Sequence, residues 1–370
     1  MRFFPAMAAS FALTNLANAL SSSLTQVTGF TAGPTKAGMY VYIPTAKKSL
    51  APIVVAIHYC QGTAQAYYGA TQYATYADTY GYIVIYPNSP SSGGCWDVSS
   101  TESLTHMDGG DSQTIVNMVS YAVANYGGDA SRVYVTGSSS GAMMTNVLAG
   151  AYPEVFKAGS AYSGVADGCF YVAGATAGMA TPGWSNQCAD GQLIQSAETW
   201  GNLVRSYYPS YTGARPKMML WHGTIDAILY YPNLGEELKQ WSNVLDVSFT
   251  KNNTNTPQSG YTQMVYGDGT QLVGYSAVNV GHTVPVHETV DLAWFCISQD
   301  CAGGNASSTG SVSTTLATST STASPSPTGG AGGSIAAYGQ CGGSTWSGSG
   351  TCASGSTCVA QSSYYSQCLP

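Results

Sequence analysis

Ten cysteines stand in this 370-residue chain, and four of them, Cys341, Cys352, Cys358 and Cys368, crowd a C-terminal segment with almost no charge. A unit this short cannot bury enough apolar area to fold alone, so these cysteines must staple it as two disulfides. Four cysteines allow three pairings, and spacing does not choose among them. Tyr338, Tyr364 and Tyr365 have no core to hide in. Exposed phenol rings in a row can stack on the apolar C–H faces of sugar rings, and the Gln367 amide can reach their hydroxyls. The plain alternative is that the tyrosines only cover the disulfides.

Composition divides the rest of the chain. Residues 303–333 carry Ser, Thr, Gly, Pro and Ala without a charged side chain or a large aromatic, so nothing there repays the entropy of ordering. This is a linker, with hydroxyls suited to O-glycosylation, and a tether of this kind raises effective concentration at a surface. At the N-terminus Arg2 precedes an apolar run, and Ala17-Asn18-Ala19 supplies the small residues a signal peptidase needs. Residues 1–19 therefore read as a signal peptide of a secreted protein, and no later stretch is long and apolar enough to span a membrane. Asn252 and Asn305 begin possible N-glycosylation sequons. Residues 334–370 form the stapled module, and residues 20–302 remain as one domain with six cysteines. No Cys/His cluster has zinc spacing, so no metal or other cofactor is expected. Charged residues are 8% of the chain and the net charge is −7, which argues against nucleic acid or anionic membrane as a partner.

In the main domain, short apolar runs at 39–43, 53–57 and 82–86 are rich in β-branched and aromatic residues and bounded by Gly or Pro. They read as buried strands. Helix-period segments at 64–79, 111–126, 193–208, 234–247 and 287–298 lie between and after them. Such alternation predicts an α/β fold with a mainly parallel sheet covered on both faces, and sites there lie beyond the carboxyl ends of the strands.

Gly137-Ser138-Ser139-Ser140-Gly141 matches G-x-S-x-G, a string expected about once by composition in a chain this rich in Gly and Ser. Its flanks carry the argument. Residues 132–136 read as a strand and 142–149 as a helix, so Ser139 falls on the sharp turn that lifts a nucleophilic hydroxyl above a sheet. The Ser140 amide then stands at a helix N-terminus, where it can donate to an oxyanion. A serine needs a base. His282, in a loop before the last helix, follows Ser139 and a plausible acid, as the Ser, acid, His order of parallel α/β hydrolases requires. His58 and His222 end apolar strands and could serve on position alone; His287 suits packing or exposure, and His106 a cap or solvent. The acid is Asp226, after the strand-like 217–220, while Asp167 and Asp190 read as solvated loop carboxylates. The second oxyanion donor falls in the loop around Cys60, whose sulfur reads as half of a bridge rather than as a thiolate nucleophile.

These residues carry a resemblance. The strings around Cys60, Gly94-Cys95-Trp96-Asp97, Ser139, His222 to Asp226 and Gly281 to Pro285 resemble fungal acetylxylan esterases of carbohydrate esterase family 1, a family that also includes feruloyl esterases; bacterial polyhydroxybutyrate depolymerases are similar. The C-terminal segment resembles the fungal family 1 cellulose-binding module through Tyr338 to Gly343, Cys352 to Cys358 and Tyr364 to Cys368. Ser362 departs from it, at a position where a polar amide is common, and Trp346 is read as packed. The resemblance implies an α/β-hydrolase three-layer sandwich with a small disulfide-stapled β module, and a Ser139–His282–Asp226 triad. It implies an oxyanion hole from the amides of Cys60 and Ser140, and Tyr338, Tyr364, Tyr365 and Gln367 on the cellulose face. It also implies the pairs Cys60–Cys95, Cys169–Cys188, Cys296–Cys301, Cys341–Cys358 and Cys352–Cys368.

The expected function is deacetylation of acetylated xylan by a secreted, monomeric serine esterase tethered to cellulose, with feruloylated arabinoxylan as the alternative substrate. Tyr162 is expected to pack, Trp96 to pack or line the site, and Trp184 to contact sugar. A lipase or an inactive binding protein are the other classes, and no amphipathic lid helix supports the former.

Overall fold

The structure is a computed structural model that describes residues 20–30, 33, 35–178, 183–299, 334–335, 340–342, 350–360 and 366–369. The expected signal peptide and linker, and Cys301, Tyr338, Tyr364 and Tyr365, lie outside the described residues, and only the backbone of Gln367 is described.

The apolar runs become strands of one sheet. In chain order the main domain comprises β1 (Thr25–Val27), β2 (Gly38–Tyr42), β3 (Ala51–Ile57), α1 (Ala64–Ala70), α2 (Tyr73–Tyr80), β4 (Ile83–Asn88), α3 (Thr101–Leu104), α4 (Gly110–Tyr126), β5 (Gly128–Ser138), α5 (Ser140–Ala151) and β6 (Ala158–Tyr162). It continues with α6 (Asn186–Ala189), α7 (Ala197–Ser206), β7 (Lys217–Gly223), α8 (Pro232–Val244), β8 (Phe249–Thr254), β9 (Tyr261–Tyr266), β10 (Leu272–Ala277) and α9 (Glu288–Trp294). The sheet order is β1-β2-β4-β3-β5-β6-β7-β10-β9-β8. The run from β4 to β10 is parallel, with antiparallel pairs at both edges.

Side chains alternate across this sheet, so each strand feeds two cores. Ile53, Val55 and Ile57 of β3 join α4 and α5 through Ile115, Met118, Met144 and Leu148. Val54 and Ala56 join α1, α2 and the end of α9 through Tyr67, Tyr73 and Phe295. Leu234, Leu238 and Trp241 of α8 extend the first layer, and Trp221, Tyr275 and Val284 the second. The result is the three-layer α/β sandwich expected, and every residue of α5 is buried within it. Among the described residues no helix is long and apolar enough to cross a membrane.

The departures have local causes. The predicted helix at 64–79 is two helices. Thr71 is extended, its hydroxyl donates to the Tyr67 carbonyl, and the Gln72 amide donates to Glu288 from the far end of the domain. The predicted helices at 193–208 and 287–298 shorten to α7 and α9. The strands β8 and β9 also escaped prediction; β8, Phe249–Thr254, lies at the sheet edge with no fully buried residue and so shows no apolar run. At the C-terminus Gln340–Gly342, Ser366–Leu369 and Thr357–Ala360 form an antiparallel sheet, stapled by Cys341–Cys358 and Cys352–Cys368.

Candidate active site

The turn between β5 and α5 is set by steric exclusion. A side chain at Gly137 would lie 2.4 Å from the Gly141 carbonyl oxygen, and one at Gly141 would lie 2.2 Å from the Ile57 carbonyl oxygen. Both positions therefore require glycine. Between them Ser139 has φ 55° and ψ −118°, a conformation that residues with a Cβ rarely adopt, and its N–H donates to the Tyr162 carbonyl at 2.8 Å. The two flanking serines are tied down by their own hydroxyls. Ser138 bonds the buried Tyr67 hydroxyl at 3.0 Å, and Ser140 Oγ accepts from the Trp96 amide at 2.8 Å.

Ser139 Oγ lies 2.8 Å from His282 Nε2, and His282 Nδ1 lies 2.8 Å from Asp226 Oδ2. Asp226 follows β7 and His282 follows β10, neighbouring strands whose loops are stitched together. Thr224 N–H donates to the Ala277 carbonyl, Ile225 N–H to the Val280 carbonyl, and Asn279 N–H to the Thr224 hydroxyl. Asp226 is buried, and its Oδ1 accepts from the amides of Ile228 and Leu229 at 2.9 and 3.0 Å. Burial opposes its charge, but hydrogen bonds from His222 and His282 and their positive charge outweigh it, holding the carboxyl well below the usual range. A carboxylate facing Nδ1 fixes the tautomer that leaves Nε2 free to accept a serine proton.

The loop after β3 borders the same turn. His58 is fully buried, with Nδ1 donating to the Tyr59 carbonyl at 2.7 Å and Nε2 accepting from the Ser89 amide at 3.1 Å. Burial pushes its pKa down, so the ring is a neutral brace rather than a base. Cys60 is bonded to Cys95, Gln61 N–H donates to the Gly93 carbonyl, and Trp96 Nε1 donates to the His58 carbonyl. Through Trp96 and Ser140 this loop is thus joined to the start of α5. The Ser140 amide, first in the helix, has no intrahelical carbonyl to donate to.

Several expectations need correction. Asp167 is 2% exposed, not a solvated loop carboxylate, and burial pushes its pKa up to about 7. The turn after β6 folds it under α5 and α8, where its amide and carbonyl bond the Gln240 side chain. Asp190 is partly buried. His106 does not cap the helix it precedes, nor does it lie in solvent: it stacks on Tyr208 at 3.6 Å and meets the carbonyl of Ala151, the last residue of α5. Other expectations stand: His287 packs, stacked on Trp221, and Tyr162 and Trp96 are buried in the core. Trp184 is 56% exposed, held edge-on against Phe170 in a loop whose base is closed by Cys169–Cys188. Cys296 is disulfide-bonded. Sequence reading missed the role of His222, whose Nε2 stands 3.2 Å from Asp226 Oδ2; its position four residues before the acid was the available signal.

A three-layer sandwich with a serine, a histidine and an aspartate in one hydrogen-bonded line at its carboxyl edge has the form of a hydrolase. The chain belongs to the family described as Esterase PHB depolymerase, whose model matches residues 37–250, and it carries a match to the fungal cellulose binding domain at residues 337–365. It is 50% identical over 278 residues to acetylxylan esterase A of Aspergillus awamori, spanning 74% of this chain and 90% of that protein. It is 51% identical over 280 residues to feruloyl esterase B of Talaromyces funiculosus, spanning 75% and 78%. The solved acetyl xylan esterase from Aspergillus awamori superposes with a TM-score of 0.71 at 49% identity, covering 74% of this chain and 99% of that one. The chain is a carboxylic ester hydrolase joined to a cellulose-binding module.

Proposed function

We propose that the protein is a secreted serine esterase that removes acetyl groups from xylan while its C-terminal module holds it on cellulose. The observation that carries this reading is the unbroken line from Ser139 through His282 to Asp226, with 2.8 Å at each step. Ser139 Oγ attacks the acetyl carbonyl as His282 Nε2 takes its proton, and the amides of Cys60 and Ser140 receive the oxyanion. The tetrahedral adduct collapses, His282 returns the proton to the departing sugar hydroxyl, and an acetyl ester remains on Ser139. Water then attacks with His282 again as base, and acetate leaves. Asp226 stays ionised throughout and stabilises the imidazolium.

The division of labour follows the chain: residues 20–302 cut, 303–333 tether and 334–370 bind, with Tyr338, Tyr364, Tyr365 and Gln367 as the cellulose face. Cellulose is the anchor and not the substrate, since it has no ester to cleave. Acetate as the product is supported by the acetylxylan esterase relative at 50% identity. A feruloyl substrate is the second reading, favoured by a relative of equal similarity and by the exposed Tyr59, Trp184, Ile228 and Tyr230, apolar surface on which an aromatic acyl group could rest.

Acid release from acetylated xylan and from a feruloylated arabinoxylan, run side by side with Ser139→Ala as blank, tests both. Acetate release lost in the variant, with little ferulate, is expected. Dominant ferulate keeps the mechanism and moves the substrate, and activity that survives in Ser139→Ala overturns the mechanism.

A further inference from the structure

Behind Asp226 the molecule buries two ionisable groups that the reaction above does not use. His222, near the end of β7, is fully buried, with Nε2 2.7 Å from the Leu229 carbonyl and 3.2 Å from Asp226 Oδ2. A carbonyl only accepts, so Nε2 carries a proton, and Asp226 stands where it can share that proton. The same carboxylate oxygen is therefore flanked by His282 on one side and His222 on the other. His222 Nδ1 is buried without a hydrogen-bond partner among the described residues. So is Glu237 Oε2 on α8, whose other oxygen accepts from Asn146 Nδ2 at 2.6 Å.

These two orphaned atoms belong to groups that are charge partners. Burial pushes the Glu237 carboxyl up to about 7, and the positive charge of His222 is the main charge acting against that rise. Burial likewise opposes charging His222, but Asp226, Glu237 and the Leu229 carbonyl together carry its pKa upward. The other groups facing His222 are the Tyr231 ring, edge-on at 6.2 Å with its hydroxyl bonded to Ser276, and His282, which reaches it through Asp226.

We propose that His222 is a positioning residue of the triad: it clamps the Asp226 loop through the Leu229 carbonyl and presents the same Nε2 proton to the back of the Asp226 carboxylate. This rests on the triad reading given above. The clamp keeps Asp226 aimed at His282 Nδ1.

The test is kcat and KM on a small soluble acetyl ester, measured on the full chain with His222→Gln and Glu237→Gln, each checked by thermal melting. Gln keeps a donor at position 222 and removes the titrating ring, and Glu237→Gln is isosteric and keeps the Asn146 contact. His222→Gln, whose shorter amide cannot meet both partners, should lower kcat roughly 10- to 100-fold with a smaller change in KM, and Glu237→Gln, which leaves both contacts in place, should change kcat less. A folded His222→Gln variant with unchanged kcat would overturn the proposal while leaving the triad intact. Hydrolysis persisting in Ser139→Ala, run in parallel, would remove the triad itself and this proposal with it.

Discussion

A methyl group at Gly141 would press into the Ile57 carbonyl at 2.2 Å, and both partners are backbone, so neither can swing away. Gly141→Ala should therefore cost about 2 kcal/mol or more of stability and displace Ser139, read as a lower melting temperature together with a lower kcat. Asp226→Asn tests a different link, because an amide beside Nδ1 no longer enforces the tautomer. A fall in kcat on the order of 1,000- to 10,000-fold with little change in KM is expected from steady-state kinetics. Trp184, exposed, braced edge-on by Phe170 and bonded through its indole N–H to Asn186, is proposed as a sugar contact. Trp184→Ala should lower the rate on polymer more than on a small ester, and equal losses would remove sugar contact as its role. At this scale the sequence was legible where local geometry forces a residue type, as at Gly137, Ser139 and Gly141. It was opaque at Asp167 and His222, whose surroundings come from α5, α8 and loops far along the chain.

Between elements, one buried carboxylate decides where the last helix sits. Asp291 on α9 accepts from the hydroxyls of Tyr73 at 2.5 Å, Ser160 at 2.7 Å and Tyr162 at 2.8 Å, joining α2, β6 and α9 at one point beneath the histidine loop. Asp291→Ala takes the carboxylate acceptor from three buried hydroxyls and should cost about 3 kcal/mol or more, measured by denaturant unfolding. The Cys60–Cys95 bridge acts on the other side of the site. Replacing both cysteines with serine should lower kcat more than it lowers the melting temperature, because the loop's aim depends on the bridge while His58 and Trp96 still hold its base. Strands such as β3, β4 and β5 were readable as apolar runs because the parallel strands are covered on both faces, whereas β6, AGSAY, is as buried but too rich in small residues to show one. The break between α1 and α2 was not readable, because Glu288 that completes it lies 216 residues from Gln72.

Across the whole molecule, burial raises the carboxyls of Asp111 to about 6 and of Asp167, Glu237 and Asp291 to about 7. A carboxyl whose folded pKa exceeds its unfolded value near 4 contributes stability in full below that value and loses it as pH rises through the folded pKa. His58 and His287, buried with lowered pKa, act in the opposite sense but cease to change above about pH 6.5. The melting temperature should therefore fall between pH 6 and pH 8, by about 2 °C or more for each kcal/mol lost. On the proposed division of the chain, deleting residues 334–370 should leave hydrolysis of a soluble ester unchanged and abolish retention on cellulose in a pull-down assay. The pairing of an esterase domain with a cellulose-binding module was legible at this scale because composition changes abruptly between them, whereas the acyl preference depends on loop surfaces that no local pattern encodes.

The central claim is that the acyl group passes through Ser139. Rapid acid quenching during turnover of an acetyl ester, followed by peptide mass mapping, tests it directly. The account predicts one acetyl group on the peptide containing Ser139, present during turnover and absent from Ser139→Ala. Full activity with no acetylated peptide, or with the acetyl group on another residue, would contradict it.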